Sequence, residues 1–356
     1  MLADQIVEFF THKEKTHVNL AKSLNGAFIS GFVETCHEIE QAPKFDLSGD
    51  VIHLIQDVSY SSPLRLESAL TACRLPYPTM WVEFEHKHRT SWMEKANFEP
   101  SLKPFDVERD IETTPPIRLG FLLRSGDRNG SPTVTISLGW TLPDPDGHIC
   151  NLCPMDIEID LNPEPVVIDP VRAAKGREEY RRLAAEPKSH ARQWGNKDPE
   201  LDAMYRLEQR IDLKMPDRMI GFFDMTYRIM GKDGVEHIRD NSRTDLMGEW
   251  RMAIAIITVL NARNAITMED GPDFTKLNKS RMKSGKRPLM EYRQIKLGLS
   301  KVQKNRQGST GGREAADPHL VRGHWKLRNG KLFWWTPHVR GGASVENAAP
   351  RYKVTT

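Results

Sequence analysis

Apolar and polar residues alternate in several segments of the first half of the chain, a period that is typical of strands with one buried face. The alternation and the apolar runs predict four strands, which cover residues 80–85, 117–124, 133–140 and 155–161. Residues 125–130 form a Gly-containing loop between two of them, which predicts a hairpin. The short apolar run at 51–55 is interpreted as one more strand.

Apolar residues spaced by three and four positions indicate helices with one buried face. This spacing predicts five helices, which cover residues 4–24, 62–73, 170–185, 201–213 and 244–265. In the last of these, Trp250, Ile254 and Ile257 lie on one stripe, and Ile256 and Val259 widen it. We therefore expect this helix to be buried on most of its sides.

Together these elements predict an α+β fold with an N-terminal antiparallel sheet, a helical middle and a small basic C-terminal module that contains a β-hairpin. The 356 residues are enough for two or three domains. The expected parts are an acidic α+β domain over 1–165, a charged helical linker region over 166–212, a helical segment that packs on the body over 213–272, and the basic module over 273–356, with its hairpin at 319–341.

Charge is distributed unevenly along the chain. Residues 273–356 hold 19 Lys and Arg against 5 Asp and Glu, whereas residues 1–272 hold 32 against 43. A basic segment on an acidic body predicts contact with a polyanion. Nucleic acid fits this prediction, and so does an acidic protein surface, which includes the protein's own body and a second copy of the chain.

Composition narrows the class of protein. No run of 18 apolar residues is present and residues 1–22 carry charges throughout, so neither a membrane span nor a signal peptide is expected. Four cysteines do not make a disulfide framework, which favours a cytoplasmic protein. The motifs G-x-S-x-G and H-E-x-x-H are absent, and the Gly-rich segment 308–313 lacks the spacing of a phosphate loop. We therefore expect no cofactor.

The most informative segment is the hairpin at 319–341, in which Asn329-Gly330 separates two strand-like runs. Both central positions of a type I′ turn need a positive φ, which Asn and Gly tolerate. With a two-residue turn, the expected cross-strand pairs are Arg328–Lys331, Trp325–Trp334 and Val321–His338.

One face of this hairpin carries basic side chains with aromatic rings between them. Such a surface suits single-stranded nucleic acid, because phosphates pair with cations and bases stack on rings, although the same rings could pack in a core. The expected nucleic-acid-binding residues of this face are Arg322, His324, Lys326, Arg328, Phe333 and Trp335. A basic loop over 276–287 is expected to add phosphate contacts from Lys276, Lys279, Arg281, Lys283, Lys286 and Arg287.

The opposite face of the hairpin brings together His319, His338 and Arg340. One His could accept a proton and the other donate one, while the Arg stabilises the charge on a phosphodiester. These three residues are therefore the candidate catalytic group of a nuclease. The grouping depends on the register, since a slip of one residue would separate them.

Cysteines offer a second candidate site. Cys150 and Cys153 form a lone C-x-x-C near His148, whereas a structural zinc site usually needs a second pair of ligands. Ordinary cysteines at a loop-to-strand junction are the simpler interpretation, and no metal is expected.

Alternating acids stand on two of the predicted strands, at Asp156, Glu158 and Asp160 and at Glu83 and Glu85. Paired carboxylates could hold Mg²⁺, but an exposed acidic sheet face gives the same pattern and is the favoured interpretation. The two histidines that follow, at 86 and 88, are interpreted as a solvated strand end.

Several segments resemble a group of proteins encoded in bacteriophage and prophage genomes. The hairpin carries the patterns H-x-V-R-G-H-W at 319–325 and P-H-x-R-G at 337–341. Similar segments lie at 276–278, at 285–289 and at 75–83. The resemblance implies a mobile-element context in a bacterial host cell and carries over no catalytic roles.

The leading hypothesis is therefore a nucleic-acid-binding accessory protein of a phage or prophage. A nuclease that acts through the His/Arg group is the first alternative. A structural or inhibitory protein that binds an acidic protein surface, or assembles with its own copies, is the second.

Overall fold

The computed structural model describes most of the chain in separate segments. These are residues 1–12, 27–70, 73–96, 116–144, 147–164, 166–185, 197–262, 264–298, 319–321, 324–328, 331–335 and 338–340. Arg322 and the turn at 329–330 lie outside the described residues, as does the second half of the predicted first helix.

Eight strands of the described residues form one main sheet. They are β1 Lys44–Leu47, β2 Thr79–Glu85, β3 Arg118–Arg128, β4 Ser131–Asp144, β5 Gly147–Asp160, β6 Ile211–Lys214, β7 Ile266–Asp270 and β8 Arg293–Leu297. Their order is β6-β5-β4-β3-β2-β1-β8-β7. Strands β2 to β6 run antiparallel to one another, whereas β1 is parallel to both β2 and β8. The α+β class is confirmed, and the sheet is mixed rather than antiparallel throughout.

Helices cover the sheet and connect its strands. Those of the described residues are α1 Leu2–His12, α2 Ala27–Gln41, α3 Gly49–Ser59, α4 Pro63–Leu70, α5 His86–Lys95, α6 Pro170–Ala185, α7 Asp198–Gln209, α8 Ile220–Asn261 and α9 Thr275–Lys283. Helices α3 and α4 form the crossover that parallel neighbours such as β1 and β2 require. None of these helices is long and apolar enough to span a bilayer.

Helix α8 contains the apolar stripe that the sequence predicts. Trp250, Ile254 and Ile257 are buried, and so are the Ile256 and Val259 side chains beside them, which confirms a helix buried on most sides. The helix starts earlier than expected, at residue 220, and its backbone breaks at Gly231, where φ is 69°. A residue with a side chain rarely adopts this conformation, so glycine permits the break.

The hairpin of β3 and β4 is confirmed, but its loop is shorter than expected. Arg128 pairs with Ser131, so the turn consists of Asn129 and Gly130 alone. Their φ values of 55° and 85° are those of a type I′ turn, whose twist matches that of the flanking strands. Residues 125–128 therefore belong to β3 and not to a loop.

The apolar run at 51–55 is helical, and its assignment as a strand is wrong. It lies within α3, where Val51, Ile52, Ile55 and Val58 are buried on the helix face that meets the core. A short apolar run fits a buried helix as well as a buried strand. Apolar residues at 52, 55 and 58 follow one another every three positions, and this spacing is the signal that indicates a helix.

Three further boundaries differ from the predictions. The helix expected over 201–213 ends at Gln209, and residues 211–214 form the edge strand β6. Residues 276–287, expected as a loop, contain helix α9. His86 and His88 begin helix α5 rather than ending a strand in solvent.

The core of the sheet depends on one close approach between neighbouring strands. Trp81 of β2 is fully buried and lies over Gly120 of β3. A Cβ at residue 120 would stand only 2.1 Å from the Cζ2 atom of Trp81, so only glycine leaves room for the indole ring.

Candidate nucleic-acid interface

The basic arm, defined here as residues 271–292, is an insertion between the neighbouring strands β7 and β8. At its base, Asp270 pairs with Arg293, and the Gly271 N–H donates to the Tyr292 carbonyl at 2.9 Å. A Cβ at Gly271 would stand 2.3 Å from that carbonyl oxygen. The two ends of the arm therefore lie against each other, and the arm projects from the end of the β7–β8 ladder.

Helix α9 lies within the basic arm. It is stabilised by hydrogen bonds at both of its ends. The Asp273 carboxylate accepts the Thr275 N–H at 2.8 Å, and these hydrogen bonds from Thr275 lower the pKa of Asp273. At the other end Gly285 has a φ of 71°, and the Lys286 N–H reaches back to the Arg281 carbonyl at 2.8 Å. This pattern is a Schellman motif, which ends a helix at glycine.

The return segment of the basic arm, residues 286–290, is held on one side of α9. The Asn278 amide accepts the Leu289 N–H at 2.7 Å and donates to the Leu289 carbonyl at 3.0 Å. The Arg281 guanidinium donates to the Arg287 carbonyl at 2.7 Å. Asn278 and Arg281 therefore fix the inner face of α9, and the Nε–H of Arg281 is used within the arm.

Two contacts join the return segment to the body. Arg287 forms an ion pair with Glu40 at the end of α2. The Met290 N–H donates to the Asp4 carboxylate of α1 at 2.8 Å. Burial raises the pKa of Asp4 despite this hydrogen bond. The arm is thus held to the body by acids of two helices, and Arg287 is already neutralised.

Four lysines of the basic arm remain exposed, and among the described residues no hydrogen bond or ion pair involves their ammonium groups. They are Lys276, Lys279, Lys283 and Lys286. The first three are spaced by three and four positions on α9 and lie within about 60° of one another around its axis. We call these three side chains the lysine face. It lies opposite Asn278 and Arg281, so it points away from the return segment.

The basic residues of strand β8 behave differently. Arg293 pairs with Asp270 at 3.4 Å, and Lys296 pairs with Glu269 at 2.6 Å. Together with the Arg287–Glu40 pair, these contacts neutralise three cations of the basic module with acids of residues 1–272. The lysine face is not part of that neutralisation.

The C-terminal hairpin has the backbone register that the sequence predicts. Its strands are β9 His319–Val321, β10 His324–Arg328, β11 Lys331–Trp335 and β12 His338–Arg340. Trp325 pairs with Trp334, and Arg328 pairs with Lys331. Across the same ladder, His324 is opposite Trp335 and Lys326 is opposite Phe333, which is half-buried. On one face of the ladder, the basic residues His324 and Lys326 of β10 therefore lie opposite the aromatic residues Trp335 and Phe333 of β11.

The second ladder of the hairpin places the candidate catalytic residues near one another. Arg340 pairs with His319, and His338 pairs with Val321. Directly paired residues share a face, and positions two apart on a strand do as well. His319, His338 and Arg340 therefore occupy one face of the β9–β12 ladder.

Glu83 and Asp156, favoured from the sequence as part of an exposed acidic face, are instead buried, and that interpretation is wrong for both. The Glu83 carboxylate is 2.9 Å from the Arg118 guanidinium and accepts the Trp81 indole N–H at 2.7 Å. Asp156 accepts from Arg218 at 2.8 and 2.9 Å. These acids complete internal ion pairs, which the sequence alone did not reveal.

The outer members of the acidic pattern are also paired. Glu158 accepts from Lys214 at 2.6 Å, and Asp160 accepts the Asn162 N–H at 2.8 Å. Glu85 lies 3.6 Å from Arg118, and its hydrogen bond with Lys87 lowers its pKa. Among the described segments, no three His, Cys, Asp or Glu side chains are arranged to hold a metal ion.

Cys150 and Cys153 lie within β5 and not at its junction with a loop. Both are buried free thiols. Burial raises the pKa of Cys153 to about 12, so its thiol stays protonated at neutral pH. A protonated, buried thiol is neither a good nucleophile nor a ready metal ligand.

His86 belongs to a buried polar cluster that sequence reasoning did not find. Burial lowers its pKa to about 4, and the nearby Arg89 acts in the same direction. Arg89 donates to Glu249 of α8 at 2.5 Å, which joins helices α5 and α8. The cluster joins helix α5 to helix α8, which is a structural role.

Comparisons with protein-family models, curated proteins and solved structures find no match for this chain. The basic arm and the hairpin therefore remain the features from which function is inferred.

Proposed function

We propose that this protein binds nucleic acid through a basic C-terminal module, residues 273–356, and acts as an accessory protein of a phage or prophage. The observation that carries the proposal is the lysine face of α9, with Lys286 beside it. Four cations that meet no counter-ion within the described part of the chain favour an external polyanion.

Charge pairing within the molecule supports an external partner. If the basic module served only to pack on the acidic residues 1–272, its cations would form ion pairs with carboxylates of that part of the chain. Arg287, Arg293 and Lys296 do so, but Lys276, Lys279 and Lys283 do not. The self-packing alternative therefore accounts for the inner part of the basic arm and leaves its outer face unexplained.

Lysine side chains determine what kind of contact is expected. A lysine ammonium is a flexible point charge without the rigid two-pronged fork of a guanidinium, so it suits phosphates more than base edges. The arm is therefore expected to supply affinity without sequence preference. The hairpin surface around His324, Lys326, Arg328, Phe333 and Trp335 adds cations and rings that could contact bases.

The test is a salt series with the full chain and the variant K276Q/K279Q/K283Q. Binding to labelled single- and double-stranded DNA and RNA is measured by fluorescence anisotropy. The slope of log K against log salt is negative, and each lost phosphate contact reduces its magnitude by about 0.7–0.9. The triple variant should therefore have a slope about 2–3 shallower than that of the unchanged protein.

The matched control is K95Q/K175Q/K232Q, which removes three exposed lysines of the body. It should leave both the affinity and the salt slope close to those of the unchanged protein. Equal slopes for the two triple variants would refute the proposed role of the lysine face. Absence of salt-dependent binding to every nucleic acid would favour an acidic protein partner instead.

A nuclease is the second candidate, and the pairing of His319 with Arg340 favours it. Cβ atoms of directly opposed residues are about 4.5–5.5 Å apart, and diagonal neighbours such as His338 lie within reach of long side chains. The expectation is that His338→Ala abolishes cleavage of a labelled oligonucleotide and leaves binding nearly intact. His237→Ala, at an exposed site on α8, is the control. Cleavage that survives in the His338 variant contradicts this candidate.

A further inference from the structure

We infer that the basic arm binds one single strand of nucleic acid in preference to a duplex, an inference that rests on the proposed function. Two observations carry it: the free cations occupy a narrow sector of α9, and exposed apolar side chains stand beside them.

The narrow sector limits the arm to one backbone. A helix that enters the major groove, which is about 12 Å wide, faces two backbones at once. The free cations of α9 face one way only, and Asn278 and Arg281 hold the return segment on the opposite side of the helix. Cations confined to one narrow sector meet one row of phosphates better than the two rows that border the groove.

The flanks of the lysine face are apolar. Leu277 and Met282 lie on either side of it and are 49% and 57% exposed. In a duplex the bases are stacked inside, and these two side chains would face only sugars and water. In a single strand the base faces are accessible, so phosphates can meet the lysines while bases rest on Leu277 and Met282.

Ser280 completes the same face. It lies between Lys276 and Leu277 around the axis and is exposed. Its hydroxyl can donate to a phosphate oxygen without adding charge. The surface thus offers a central row of phosphate donors with an apolar position on each side.

The experiment compares oligothymidine and oligouridine with DNA and RNA duplexes of equal length, at matched salt, for the full chain and for L277S/M282S. Single strands should bind more tightly than duplexes. The double variant should weaken single-strand binding about fivefold without changing the salt slope, and should leave duplex binding unchanged. The control is V167S/V171S, which changes two apolar residues that are 93% and 79% exposed elsewhere.

Duplexes that bind as tightly as single strands would overturn the inference, and so would unchanged single-strand binding by L277S/M282S. Either result leaves the proposed function standing if K276Q/K279Q/K283Q still lowers the salt slope. Failure of that lysine variant to lower the slope refutes the proposed function itself. Both exposed sites of L277S/M282S lie outside the core, and circular dichroism checks that the variant folds.

Discussion

Glu83→Gln tests how much of the stability of this fold depends on one buried carboxylate. The substitution keeps the shape of the side chain and removes its charge. In the structure, Oε1 of Glu83 accepts the Leu2 N–H at 2.8 Å and lies 2.9 Å from Arg118. Oε2 accepts the Ala3 N–H at 3.0 Å and the Trp81 indole N–H at 2.7 Å.

The expected loss follows from these four contacts. A glutamine amide has one accepting oxygen, so its NH₂ group must face two of the donors in either orientation. A buried donor left without a partner costs about 1–3 kcal/mol. Arg118 also loses a fully buried counter-ion but keeps its ion pair with Asp46, so this loss stays below the roughly 3–5 kcal/mol that an uncompensated buried charge costs. We expect the free energy of unfolding to fall by about 3–5 kcal/mol.

Urea unfolding followed by tryptophan fluorescence measures this change. The control is Glu236→Gln, which removes an exposed carboxylate 3.4 Å from Lys232 and should shift stability by about 0.5 kcal/mol or less. A loss for Glu83→Gln no larger than the control would refute the reasoning. If the variant does not fold, Trp81→Phe removes one of the four donors along with part of a buried ring, so its loss combines a lost hydrogen bond with a cavity.

Three other perturbations follow from described contacts. The pKa of His86 in the folded protein, about 4, is below its unfolded value of about 6.5, so stability should fall as pH drops from 6.5 to 4. In His86→Gln this loss, about 1–2 kcal/mol after allowance for solvent screening, should disappear from urea midpoints taken at pH 7 and 4.5. Gly120→Ala should destabilise the fold by about 1–3 kcal/mol in the same assay, because its Cβ meets Trp81, whereas Gly248→Ala, with open space around it, should stabilise the fold by up to about 1 kcal/mol. All four cysteines are buried, so Ellman's reagent should label them only after denaturation; rapid labelling of the native protein would contradict this burial.

The sequence predicts most reliably those elements whose local signals agree. The two strand-like runs and the Gly-containing loop between them predict the β3–β4 hairpin, and the Asn-Gly signal at 329–330 gives the register found between β10 and β11. In these cases the chain positions that set the register are close together in sequence. Tertiary contacts are not needed to choose between alternatives.

Predictions fail where the deciding signal is a cap or a distant partner. The lysine-rich segment 276–287 has no apolar stripe, and α9 is defined instead by Asp273 at its start and Gly285 at its end. The Lys-Ser-Gly sequence at 283–285 is the helix-stop signal that could have revealed it. Glu83 looks like an exposed acid because its main cation, Arg118, stands 35 positions away, beyond any local pattern.

The place of β8 in the sheet has a consequence for how the chain acquires its structure. Strand β1 at residues 44–47 pairs with β8 at residues 293–297. One edge of β1 therefore stays unpaired until a segment some 250 positions later has been synthesised. At about 5–20 residues per second, a ribosome needs roughly 12–50 s to synthesise that intervening chain. Throughout this interval β1 has an unpaired strand edge, which is the feature that aggregation and misassembly exploit. Late pairing of β1 with β8 is therefore a step at which a nascent chain of this protein is exposed to misassembly.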